Sequence, residues 1–284
     1  MRITDCTKNM SVRYGSGGFD LDRWKEYISD AIPGAMELCL DDMNEVLNAG
    51  ISWDGTFLPV LNAVREHPDL VEAAAETFHR VTYRLDDRIK EAFGKTVDAD
   101  IYLYLGLCSG AGWVTEIGGR TVILLGIEKI IELGWYDENS MNGLILHELG
   151  HCYQSRYGIL HRDYTLPEDR YLWQLFTEGI ANVFERLVLK DPDRYPQYSD
   201  EWMQWCDSNV RHIAESFKRD LETMSFENQR YFGDWVRFEG WPDTGYYLGM
   251  RLVRYILKTH EFDEIIGWTS DEVRDSFESF MESL

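Results

Sequence analysis

Positive charge is scarce in this chain. Its 284 residues hold 28 Lys and Arg against 50 Asp and Glu, a formal net charge of −22. Such a field repels a phosphate backbone, which argues against nucleic acid as a partner. Anionic membrane surfaces are disfavoured for the same reason. Long hydrophobic runs are also missing, since no segment approaches the roughly 18 apolar residues of a spanning helix. Residues 1–18 are polar and carry no apolar stretch of the kind found in an export signal. Cysteine is sparse and unpatterned: Cys6, Cys39, Cys108, Cys152 and Cys206 are odd in number, widely spaced and form no C-x-x-C. That usage fits reduced thiols in a cytoplasm better than a disulfide framework. The expectation is a cytoplasmic protein.

What is present is an ordinary globular composition, 44% hydrophobic and 14% aromatic with 27% charged. No internal repeat and no Pro- or Ser-rich linker divides the chain. Residues 1–18 read as a flexible leader. Residues 19–98 read as a helical region, with Leu21, Trp24 and Ile28, then Leu38, Met43, Val46 and Leu47 at three- and four-residue steps. Pro33-Gly34 interrupts the first helix, and a second helical block runs from Pro68 to Phe93, ending at Gly94. The texture then changes. Asp100 to Leu107 and Arg120 to Leu125 are rich in β-branched and aromatic residues, with Gly-containing turns and the run Trp113-Val114-Thr115-Glu116 between them. This predicts two or three antiparallel strands. Ile127 to Leu133 follows as a short helix or turn closed by Gly134. A helix over 141–157, capped by Asn139 or Ser140, and another over about 168–190 come next. The remainder is helical with a break near Gly240-Trp241-Pro242. The plan is α+β, mostly helical, with residues 99–284 as a core that forms one compact unit with the amino-terminal region.

The helix over 141–157 contains His147-Glu148-Leu149-Gly150-His151, an HExxH motif. Residues four apart share one helix face, so the two imidazoles can grip one ion together. Glu148 lies one step round the helix, where it can reach a water on that ion as general base without becoming a ligand. The plainer reading is two histidines satisfied locally on an amphipathic helix. A third ligand is needed. The spacing HExxHxxGxxH fails, because positions 154 and 157 hold Gln154 and Tyr157. Two candidates remain: Glu178 in Phe176-Thr177-Glu178-Gly179-Ile180-Ala181-Asn182 on the next long helix, and His161 beyond Gly158. Glu178 is favoured by its placement, with small Gly179 and Ala181 suited to close helix approach; a solvated carboxylate is the alternative. Asn182 and Glu185 are candidates to orient the histidines by hydrogen bonding. Cys152 points away from His151 and reads as buried packing. Gly15-Ser16-Gly17-Gly18 lacks the Lys of a phosphate loop, and no G-x-S-x-G is present.

Two histidines and a glutamate on successive helices resemble the gluzincin metallopeptidases. The segments IYLYLGLCSGAG, GGRTVILLGIEKI, ILHELGHCYQ, LFTEGIANVFE and GYYLGMRLVRYIL together resemble the YjaZ-like predicted zinc-dependent proteases, over roughly residues 100–258. The resemblance implies a zincin-like catalytic core with one zinc per chain on His147, His151 and Glu178, Glu148 as general base, and a peptide or protein substrate. Many gluzincins carry Asp four residues after the ligand Glu, where this chain has Asn182. Arg120 to Leu125 resembles the edge strand along which gluzincins lay an extended peptide. A Tyr or His from the carboxy-terminal helices often stabilises the oxyanion; here Tyr246 is the first choice, Tyr247 the second and His212 the third. Gly245 and Gly249, one turn apart, suit close packing against such a site. The aminopeptidase signature GxMEN is absent, which leans towards an endopeptidase or a narrow dedicated substrate. The contrasting expectation is a catalytically silent or regulatory module that keeps the fold to bind another protein.

Overall fold

The computed structural model describes residues 1–8, 10, 14–48, 50–162, 164, 167–192, 198–225, 227–233 and 235–284. The order of elements is β1 (Arg2–Asp5), β2 (Tyr14–Gly15), β3 (Gly18–Phe19), α1 (Leu21–Ala31), α2 (Met36–Asn48), α3 (Leu58–Glu66), α4 (Pro68–Thr82), α5 (Leu85–Phe93), β4 (Asp100–Tyr104), β5 (Gly112–Ile117), β6 (Arg120–Gly126), α6 (Ile127–Leu133), α7 (Glu138–Tyr157), α8 (Pro167–Leu189), α9 (Asp200–Asp220), α10 (Thr244–Ile256), α11 (Phe262–Ile265) and α12 (Ser270–Ser283). The chain is mostly helical with a small sheet, an α+β plan. It divides into two compact units, Met1–Glu148 and Leu149–Leu284, with the division inside α7. No helix among the described residues is long and apolar enough to cross a membrane.

The first unit is organised by a four-stranded sheet in the order β1-β4-β6-β5. The expected antiparallel sheet is corrected here: β4 pairs parallel with both β1 and β6, and only β5 and β6 are antiparallel. The β5–β6 hairpin closes through Gly118 and Gly119, with φ of 58° and 74°, and pairs Ile117 with Arg120. Positive φ at both central residues is what a two-residue turn matched to strand twist demands. β4 is buried along its whole length, which is why its sequence runs apolar instead of alternating. The amino terminus departs from the expected leader, because Arg2–Asp5 adds a parallel edge to β4. Ionic contacts reinforce that edge. The buried Asp100 carboxylate accepts from Arg2 Nη2 at 2.9 Å and from Arg120 Nη2 at 2.8 Å, joining β1, β4 and β6.

Helices of this unit begin and end for local reasons. Asp20 accepts from the backbone N–H groups of Asp22 and Arg23 and so caps α1. Pro33-Gly34 separates α1 from α2, as expected, and Pro68 occupies the first turn of α4. The single block expected over 68–93 is broken instead into α4 and α5, at Arg84 in left-handed conformation with φ 53°. α7 begins three residues earlier than expected at Glu138, because Asp137 accepts from Asn139 N at 2.8 Å and Ser140 N at 3.2 Å. Asp137, and neither Asn139 nor Ser140, is therefore the cap.

The second unit is built around α8 and α10. Gly179 and Gly249 face each other so closely that a Cβ on Gly179 would meet the Gly249 carbonyl, and one on Gly249 would meet the Leu175 carbonyl. Backbones touch there with no side chain between them. Tyr153, near the end of α7, donates to Asp263 Oδ1 at 2.5 Å and packs against Phe184 and Phe262.

Candidate metal centre

The HExxH residues lie on α7, and Glu178 lies on α8. Two close contacts inside the second unit explain how Glu178 is set. A Cβ on Gly150 would stand 2.7 Å from Ala181 Cα and 3.2 Å from Phe184 Cβ, so the absence of a side chain within the motif lets α8 come up against α7. Ala181 lies three residues after Glu178, on the same helix face. The expectation that Gly179 serves this contact is corrected: Ala181 faces α7, whereas Gly179 faces α10.

His147, His151 and Glu178 offer one ligand atom each, and these atoms all lie within 4.8 Å of one another. His151 Nε2 and Glu178 Oε2 are 3.5 Å apart, with side chains 15% and 14% exposed. Zinc bonds of about 2.0–2.2 Å in tetrahedral geometry place ligand atoms roughly 3.3–3.6 Å apart. The observed separation is longer than an ordinary hydrogen bond of about 2.7–3.2 Å and falls within the interval for two ligands of one ion. Two imidazoles and one carboxylate are also the donor set of a catalytic zinc site that keeps a fourth position for water. The residues present thus fit the metal. No second group of this kind is found among the described residues, and His161, exposed in the loop after α7, is not part of this one.

Glu148 is buried at 7% exposure. The start of β5 bounds it on one side: a Cβ on Gly112 would stand 3.0 Å from Glu148 Cγ and Oε1 and 2.9 Å from Leu144 Cδ1. Gly112 therefore leaves the space that the Glu148 carboxylate occupies, a role the sequence reading missed. The only signal available was a glycine opening a strand just after a Gly-rich turn. That turn is itself held from α6. The fully buried Glu128 carboxylate accepts from Gly106 N at 2.8 Å and Cys108 N at 3.0 Å. Burial pushes the Glu128 carboxyl up in pKa, against the opposing effect of these N–H donors.

The expected edge strand is corrected. β6, which contains Arg120 to Leu125, is internal to the sheet, and β5 is the edge that starts beside Glu148. Asn182 donates from Nδ2 to the Glu178 carbonyl at 2.9 Å, and its own carbonyl accepts from Arg186 Nη1 at 2.5 Å. It ties the backbone that carries Glu178. Glu185 is buried and pairs with Arg186 at 3.5 Å. Cys152 is buried, as expected.

Of the oxyanion candidates, Tyr246 is half-buried on α10 with its ring edge-on to Phe232, 5.9 Å between centroids. Tyr247 donates its hydroxyl to Asp207 Oδ1 at 2.6 Å, and His212 lies in a surface pair with Glu239 at 2.7 Å. Those two side chains are committed to other contacts. Gly245 and Gly249 make room for the Phe232 ring and for α8, respectively. The chain matches no protein-family model, no curated protein and no solved structure.

Proposed function

We propose that this chain is a cytoplasmic zinc-dependent peptidase with a zincin-like core of the gluzincin type, hydrolysing bonds of a peptide or protein substrate by attack of water. The observation that carries the reading is the His147, His151 and Glu178 group, with ligand atoms within 4.8 Å, in which both histidines stand on the helix that also carries Glu148 and Glu178 stands on the next. One zinc per chain at that group would supply Lewis acidity and bring the pKa of water towards neutrality.

The chain's own residues then have distinct tasks. The Glu148 carboxylate takes a proton from the attacking water and returns it to the leaving amine. Its burial beside Gly112 holds it in one place, which suits a base that must meet a single water. β5 offers its outer edge to an extended substrate, whose main chain would pair with it as an added strand. Affinity gained that way comes from backbone groups and depends little on substrate sequence. Tyr246 is assigned as the hydroxyl donor to the oxyanion.

Glu148→Gln tests the assignment, because it keeps shape and removes the base. Turnover of a fluorogenic peptide library should fall by about 10²–10⁴-fold, with metal content by mass spectrometry unchanged. Loss of zinc from that variant would contradict the role given to Glu148.

A further inference from the structure

A cavity of about 730 Å³ lies in the second unit, outside the metal group, and its walls carry charge opposite to that of the chain as a whole. Three cations line it: Arg251 and Arg254 on α10, and Lys258 in the turn that ends the helix. Asp207 is the one acidic side chain in the lining. In a chain with 28 basic residues against 50 acidic ones, three cations within eight positions on one wall are a concentration of rare charge. At about 1.5 Å per residue they span roughly 10 Å of helix axis.

Two of the cations are held in place. Arg251 Nη1 donates to Asp207 Oδ1 at 2.9 Å and to the Tyr247 hydroxyl at 2.6 Å. The Lys258 ammonium sits over the Tyr255 ring, 5.2 Å from its centroid, and Tyr255 in turn packs against Phe280. An aromatic contact fixes the ammonium without neutralising it. Arg254 Nη1 donates to the Pro192 carbonyl at 3.5 Å. Cations near a helix end complement its dipole, but a dipole calls for no cavity between them. The volume falls in the range of about 300–1,000 Å³ typical of small-molecule sites and is too small for a folded partner.

We propose that this cavity binds a small molecule bearing linked phosphate groups, with the phosphates lying along Arg254 and Lys258. Guanidinium forks and ammonium groups are the side chains that recognise phosphate oxygens best. This site is independent of the zinc assignment.

The test is equilibrium binding of ADP and of pyrophosphate to the full chain at low salt, native and R254A/K258A. The two probes distinguish a phosphate chain on a nucleoside from a free one. At least one should bind the native chain, with affinity falling as salt is raised. The double variant should lose tenfold or more, the value of one or two charge-assisted hydrogen bonds, while retaining its metal. Acetylation of Lys258 in the native chain, followed by mass spectrometry, gives a readout that does not depend on the variant folding. The bound probe should slow that labelling several-fold. Failure of both probes to bind or to protect Lys258, or equal binding by a folded double variant, would overturn the proposal.

Discussion

Asp100 and Glu178 are both carboxylates set among basic groups, and what surrounds each decides what it can do. Asp100, at the start of β4, is closed by two guanidinium groups at 2.8 and 2.9 Å. Arginine stays charged at any ordinary pH, so those contacts hold wherever the carboxylate is ionised, and it is used up in joining strands. Glu178 instead faces the imidazole of His151 at 3.5 Å, with both side chains partly exposed. A neutral imidazole brings a lone pair where a guanidinium brings only donors. The first arrangement builds a sheet; the second leaves ligand atoms that an ion can gather.

The sharpest way to break the comparison is Gly150→Leu. The new side chain would drive into the Ala181 backbone, 2.7 Å from where its Cβ must stand. Overpacking of this sort costs about 1–3 kcal/mol or more. α8 would have to shift, and metal affinity should fall by about 100-fold, the upper end of what is lost when a supporting contact is removed. Calorimetry and metal content check the two effects separately. Ala181→Gly, which leaves the approach open, should retain metal.

A smaller effect is expected at Gly112→Ala. The added methyl would press on flexible side chains, Glu148 and Leu144, and not on backbone. The stability cost should be about 1 kcal/mol. Metal should stay bound while turnover drops, since the group displaced is the base and not a ligand. Equal loss of metal and turnover would show that the β5 contact supports the helix as a whole.

Acid titration sharpens the Asp100 half. Burial alone would raise the Asp100 pKa, but the Arg120 and Arg2 contacts hold it below the usual carboxylate range. A depressed folded value stabilises the fold fully above the unfolded pKa of about 3.9. That contribution is lost as pH falls through the folded value. Native protein should therefore lose stability below about pH 4 with a component that is absent from Asp100→Asn. Urea melts across that range would show it, and identical pH profiles would remove Asp100 from the account. Smallest of all is Gly118→Ala at the β5–β6 turn, where φ is 58°. Left-handed backbone costs a residue with a Cβ about 1–2 kcal/mol, with no change in metal content.

The candidate ligands were legible because their signal is local. A four-residue step on a helix puts His147 and His151 on one face whatever surrounds it, and Glu178 was chosen by its place on the following helix. The sheet was harder to read. β1 has four residues with Ile3 as its one aliphatic side chain, and its pairing with β4 depends on a partner 98 positions away. Parallel order cannot be read from strand composition, and the likeness of Arg120 to Leu125 to a gluzincin edge strand says nothing of the strands beside it, so β6 proves internal. Small residues announce close packing without naming the partner, so Gly179, expected against α7, meets α10 instead. Gly112 carried too little signal to be linked with Glu148, because that link exists only once β5 and α7 are brought together.

The central claim is that His147, His151 and Glu178 hold one metal ion. Metal content per chain by mass spectrometry, on native protein and on Glu178→Ala side by side, addresses it most directly. The account predicts about one zinc per native chain and a large loss in the variant that still folds. A native chain without metal, or a Glu178→Ala chain that keeps its zinc in full, would contradict it.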